Sequence, residues 1–331
     1  MNLTMKKRCI IYLILLLLAF TFLFSGKLGI IFLKKPIYLF KPSTTRLVDD
    51  ALFMMERYGI YSTEHDFKAQ IPEFKALAKQ AHSFEEALPV LNSAAVIAGG
   101  HHSFIKAFSD EELNGAPNFT PVSPSVRINK GIATIYLPTF SSDDAQLIND
   151  YIQSVTKQLA QASELKGVII DLRNNLGGNI IPMFGAVTSL FPKGDLLYYV
   201  DNQQQEFPIK LAENHLIIDD EEILSLNEQT KYLNLPIAIL TNGGTASAAE
   251  ILLVAFKGQP HVKQFGEATA GLATGVASFQ LYKNYYVALA GVKAKDLNGK
   301  IYEEQPIEAD VVTEHPEQVA WEWLTKIFNK K

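Results

Sequence analysis

The stretch Thr241-Asn-Gly-Gly-Thr-Ala-Ser247-Ala-Ala-Glu250 lies between two apolar runs and places a hydroxyl where chemistry can use it. Asn242, Gly243 and Gly244 suit a sharp turn, because Asn and Gly adopt positive φ at little cost. From Thr245 onward Ala, Leu and Glu dominate, so a helix follows. Ser247 stands at its opening, beside unpaired backbone N–H groups and the positive end of the helix dipole. A nucleophile whose attack creates an oxyanion is well served there. The spacing Ser247-x-x-Glu250 also fits a capping box, in which the serine only closes the helix, and on this stretch alone that is the simpler reading. It is not a Gly-x-Ser-x-Gly elbow, since Ala248 and Ala249 follow the serine.

A second turn of the same kind is Asp171-Leu-Arg-Asn-Asn-Leu-Gly177-Gly178. Its glycines offer N–H groups to an anion, or form a bare turn; no Gly-Lys-Ser/Thr follows, so it is not a phosphate loop. Asp171 and Arg173 read as residues that shape the strand end. His101 and His102 follow Gly99-Gly100. Adjacent residues on a strand face opposite ways, and no His-x-x-x-His lies near, so no metal is expected. They are capping or surface histidines at a turn, or one of them is a base for a nucleophile elsewhere. His215 reads as a surface residue.

These residues need elements to hold them. Pro236–Leu240 and Val168–Asp171 are short apolar runs that predict buried strands, each followed by a Gly turn and a helical pattern. Ile132–Leu137 predicts a strand and 143–165 a long amphipathic helix. The alternation implies an α/β core with parallel strands. Helical spacing over 45–98 predicts a small helical region, with Pro89 breaking or kinking its third helix. The segment from the Gln-rich 203–205 to Lys231 reads as irregular. A strand at 261–265, an extended segment at 285–292, a hairpin turn at 296–300 and a C-terminal helix over 319–328 complete the chain.

Composition narrows the function. Of 30 Lys and Arg, seven fall in residues 1–41, which hold no acid, so the remainder sets 23 basic groups against 35 acidic ones. That acidic body argues against nucleic acid as a partner. The one cysteine, Cys9, excludes an internal disulfide and a Cys-rich zinc site. Cys9–Phe24 is an apolar run behind Lys6-Lys7-Arg8, without a clean small-x-small cleavage site. It is expected to be an uncleaved membrane anchor, or else a cleaved signal.

Four segments in order resemble one family, the tail-specific or C-terminal-processing serine proteases. They are Asp171-Leu-Arg-Asn-Asn-Leu-Gly-Gly178, Thr245-Ala-Ser247-Ala-Ala-Glu250, Gly266-Glu-Ala-Thr-Ala-Gly271 and Ile307-Glu-Ala-Asp310, the last departing from the pattern at Pro306 and Ala309. The resemblance spans roughly residues 95–312. It implies Ser247 as the attacking serine and a crotonase-like α/β core. The lysine that the serine–lysine branch carries after the loop glycine is replaced by Leu272. The Gly-Gly-x-His-Ser segment instead resembles the tricorn-core branch, which implies a Ser247, His102, Glu303 triad, with Glu304 as adjacent competitor. The PDZ domain usual in the family has no room in the short stretch between Phe104 and Val126.

Those roles suit the chemistry. Histidine titrates near neutrality and takes the serine proton, and a carboxylate fixes its tautomer. The N–H of Ala248 with that of Gly177 or Gly178 would hold the oxyanion. The expectation is an extracytoplasmic serine peptidase acting on peptides or proteins, without cofactor. Its divisions are an anchor and linker over 1–41, a helical region over 42–104 and a protease core over 105–331. The alternative is a non-catalytic carrier of peptides or apolar ligands on the same scaffold.

Overall fold

The computed structural model describes residues 11–12, 24–109, 122–162, 164–227 and 229–328. Most of the apolar run Cys9–Phe24 expected to be an anchor therefore lies outside the described residues, as do residues 110–121 of the short stretch between Phe104 and Val126. Residues 24–33 are helical. Among the described residues no helix is long and apolar enough to cross a membrane.

The chain forms two compact units, residues 1–115 with 276–291, and residues 116–275 with 292–331. The first contains helices α1 (Thr44–Tyr58), α2 (Phe67–Ala78) and α3 (Phe84–Gly99), then strand β1 (Phe104–Ala107). Ser43 and Ser83 cap α1 and α3, each accepting a backbone N–H at 3.2 Å. Pro89 does not break α3, which runs through it as one helix. The ring lies on the exposed side, while Ala87, Leu91, Ala94 and Ala98 bury the opposite stripe, and that packing outweighs one lost hydrogen bond. The core of this unit takes in Phe279, Leu281, Val287 and Leu289 from strands β11 (Thr274–Tyr282) and β12 (Tyr285–Lys295). β1 runs antiparallel to β12, with Phe104 opposite Ala288.

The second unit is built on a six-stranded sheet. Its members are β2 (Ser125–Asn129), β3 (Ile132–Tyr136), β4 (Gly167–Asp171), β9 (Ile237–Thr241), β10 (Val262–Gly266) and β14 (Val311–Val312). The order is β14-β10-β9-β4-β3-β2, parallel except for β2. Both faces are covered, which is why β4 and β9 are apolar at every position but the last. Val168, Ile170, Ile237 and Ile239 pack with helices α4 (Ala145–Ala160), α5 (Ile180–Val187) and α6 (Ala248–Lys257). Ile169, Ala238 and Leu240 pack with Ala320 and Leu324 of α7 (Pro316–Phe328). The register sets Asp171 opposite Leu240, so β4 and β9 end level and their Gly turns lie side by side.

The stretch read as irregular is ordered. β5 (Gly194–Asp201), β6 (Glu206–Ala212), β7 (His215–Ile218) and β8 (Glu221–Ser225) form an antiparallel meander. Its signal is short: Phe207, Ile209 and Leu211 alternate over one strand. The turns hold Glu213, Asp219 and Asp220 at positive φ, where Gly or Asn would have announced them.

Candidate active site

Ser247 is the N-cap of α6, as its sequence implies, but its backbone is unusual, at φ 55° and ψ −119°. That conformation belongs to the first central position of a type II′ turn, a glycine position. Holding a serine there costs about 1–3 kcal/mol and persists only where the surroundings enforce it. Ser247 and Glu250 form a capping box, in which the Glu250 carboxylate accepts Ser247 N.

Two neighbours enforce the turn. The first is the β4 turn. A Cβ placed on Gly177, at φ +91°, would meet Ala246 O and Ser247 Cβ at 2.7 Å and Ala248 N at 2.8 Å. Only glycine permits so close an approach. Asn175 is fully buried and ties this contact together. Its Nδ2 donates to Leu137 O at 2.8 Å, its Oδ1 accepts Gly177 N at 2.9 Å, and its carbonyl accepts Ala246 N at 2.9 Å. Asn174 and Asn242 join the two turns again: Asn242 Nδ2 donates to Asn174 Oδ1 at 3.0 Å, and Asn242 Oδ1 accepts Asn174 N at 2.9 Å.

The second neighbour is the loop after β10. Glu250 is completely buried, and its carboxylate accepts Ser247 N (2.9 Å), Gly271 N (2.9 Å), Leu272 N (2.8 Å) and the Thr269 hydroxyl (2.5 Å). Burial pushes its pKa up, against the pull of these four donors. The capping role seen in the sequence is thus one contact of four. Leu272, where a lysine base would stand, supplies a backbone N–H instead.

The oxyanion candidates separate on this geometry. The N–H of Gly177 is already committed to Asn175. Those of Ala248 and Gly178 have no protein acceptor among the described residues. Gly178, at φ +106°, lies so close to Phe140 O that a Cβ would sit 2.1 Å from it.

Glu303 follows strand β13 (Ile301–Tyr302), and its carbonyl accepts Ala273 N at 3.2 Å, next to the residues that bind Glu250. Its Oε2 lies 3.1 Å from the ammonium of Lys293, a lysine that is 5 % exposed and gave no signal in the sequence. Glu304 has a buried Oε1 without a hydrogen-bond partner among the described residues. Asp171 and Arg173 form an ion pair with each other, consistent with a structural role.

His102 belongs to the first unit, whereas Ser247 and Glu303 belong to the second. Within its own unit the histidine is firmly placed. Gly100 ends α3 at φ +79°, Ser103 Oγ accepts Ala290 N at 2.9 Å, and Asn92 Oδ1 accepts Ile105 N at 2.8 Å. His102 is half-buried, and that burial lowers its pKa from the usual histidine value, while His101 is exposed.

Comparison with known proteins agrees with this architecture. The nisin-resistance protein of Lactococcus lactis subsp. lactis is 30% identical over 300 residues, 90% of this chain and 93% of that protein. The carboxy-terminal processing protease CtpA of Bacillus subtilis is 26% identical over 196 residues, 59% of this chain but only 38% of that protein. A solved lipoprotein structure from Streptococcus agalactiae superposes with a TM-score of 0.72 at 32% identity, covering 88% of this chain and 99% of that one. The model of Peptidase family S41 matches residues 131–313, from the start of β3 to just beyond β14. The chain with this strained serine turn belongs to peptidase family S41 and is a serine-type hydrolase.

Proposed function

We propose that Ser247 attacks the carbonyl of a peptide bond, with His102 as general base and Glu303 orienting the imidazole. The proton passes from Ser247 Oγ to the imidazole as the tetrahedral intermediate forms, then to the leaving amine. Water hydrolyses the resulting acyl-enzyme by the same route in reverse. The oxyanion is assigned to the N–H groups of Ala248 and Gly178, because Gly177 already donates to Asn175. The observation that carries this reading is the enforced, glycine-like conformation of Ser247, packed on Gly177 at the start of α6. A cap alone gains nothing from such strain.

The second unit is read as a crotonase-like core, its two strand–turn–helix units supplying nucleophile and oxyanion donors. For the substrate, similarity along nearly the whole of a nisin-resistance protein favours nisin or a peptide like it over a folded protein. The apolar run Cys9–Phe24 supports a body outside the cytoplasm, anchored or released.

The test uses the purified chain and nisin, followed by mass spectrometry for fragments and by labelling with a serine-directed phosphonate. The wild type is expected to give defined fragments and an adduct at Ser247, and Ser247→Ala neither. A wild type that binds nisin but neither cleaves nor labels would make the protein a ligand carrier.

A further inference from the structure

Lysine side chains are almost never as buried as that of Lys293, at 6 % exposure, unless they are paired. It sits on β12 with Val200 of β5 opposite, and Glu303 Oε2 lies 3.1 Å from its ammonium. Glu303 itself is 40 % exposed, so water could solvate that carboxylate without help. The contact therefore serves the lysine's burial or the carboxylate's placement, and the two alternatives are separable.

We propose that Lys293 is a positioning residue for the peptidase reaction: its ammonium fixes the orientation of the Glu303 carboxylate and offsets part of its negative charge. This rests on the reading of Glu303 as the group behind the imidazole. Lys293 is not a substitute for the lysine base missing at Leu272. It stands on β12, paired with Glu303, and not at the loop position where that base would be. The charge has a direct consequence. In a serine–histidine–carboxylate arrangement the carboxylate stabilises the imidazolium. A cation held on that carboxylate weakens this effect, keeping the imidazole neutral and competent as a base at lower pH.

The other ionisable groups near the pair come from several elements. Glu304 is next in the chain, with its Oε1 buried. Asp296 accepts the Tyr302 hydroxyl at 3.0 Å and the N–H of Lys300. Lys295 of β12 pairs with Glu206 of β6. Tyr199 of β5 is held neutral by burial, which raises its pKa. None is a histidine, so a limb in the pH–rate profile between about 5 and 8 reports the imidazole.

The experiment is the pH dependence of kcat/KM for nisin cleavage by wild type, Lys293→Met, Lys293→Arg and Glu303→Gln, with melting temperatures for each. Lys293→Met is expected to move the acid limb up by roughly one pH unit and to lower kcat about tenfold or more, with KM little changed. Lys293→Arg keeps the charge and is expected to return the limb to its wild-type position. An acid limb that stays in place in Lys293→Met overturns the proposal, whatever happens to stability. So does an arginine variant as inactive as the methionine variant. If Glu303→Gln cleaves as well as wild type, the underlying reading of Glu303 fails instead, and that result is distinct from either lysine outcome.

Discussion

Glu250 Oε2 accepts the backbone N–H of Ser247 while its other oxygen accepts Gly271 N, so one buried carboxylate binds the serine turn to a loop some twenty residues further on. A glutamate in the first helical turn ordinarily serves only its own helix. Here it fixes where the serine stands relative to the rest of the second unit.

Glu250→Gln is therefore expected to be damaging despite its similar shape. A glutamine offers one acceptor oxygen, and its NH2 group would face the donors that now meet Oε1 or Oε2. Leaving buried N–H groups unpaired costs about 1–3 kcal/mol each. The melting temperature of Glu250→Gln should fall by several degrees and cleavage should drop with it. A variant as stable and as active as wild type would show that the four contacts are incidental.

The strain at Ser247 has a measurable sign. Both Ser247→Ala and Ser247→Gly are expected to lose cleavage. Glycine accepts φ 55°, ψ −119° freely and alanine does not. In spite of the usual entropic penalty of glycine, Ser247→Gly should be more stable than Ser247→Ala, by about 1 kcal/mol. Thermal melts of the two variants side by side give the order; the reverse order would mean the turn is not strained.

Gly177→Ala tests the packing of one turn on the other. The new methyl would meet Ser247 Cβ and Ala246 O at 2.7 Å, in a backbone conformation that disfavours any side chain. Cleavage is expected to fall at least 100-fold, on the scale of losing an oxyanion donor or displacing the nucleophile by about 1 Å. Gly299→Ala is the control, since it also replaces a positive-φ glycine but meets nothing within 4 Å. Equal losses in both variants would assign the effect to backbone strain alone.

The pH dependence follows from His102. Its burial lowers the imidazole pKa, so the neutral base is populated at lower pH than for an exposed histidine. The rate of cleavage should rise with pH through that value, placing the acid limb of kcat/KM below about 6.5. A limb clearly above it would mean that a carboxylate in the assembled site outweighs desolvation.

The sequence made the local part of this site readable. The strand, Gly turn and helix around Ser247 follow from propensity and turn chemistry, and β9 and α6 match them. The level ends of β4 and β9, which bring Gly177 onto Ser247, depend on parallel register and left no local mark. Glu250 looked like a cap because its partners at 269–272 are distant in sequence. Asn175 looked like a turn residue, although its buried side chain bonds Leu137 O and Gly177 N while its carbonyl accepts Ala246 N. Lys293 lies one residue beyond the extended apolar segment read at 285–292, and with Lys295 nearby it resembles a solvent-facing residue until its burial is known.

Residues 276–291, the hairpin formed by most of β11 and β12, interrupt the second unit's chain, yet Phe279, Leu281, Val287 and Leu289 pack in the first unit's core. No single cut along the polypeptide frees either unit intact. A fragment beginning after β1 would keep the hairpin but lose its apolar cover, and a fragment ending there would lack part of its own interior. Protein engineers seeking the second unit alone should remove residues 276–291 along with 1–115 and rejoin Gly275 to Val292, whose side chain already lies against Gly275; that unit lacks His102.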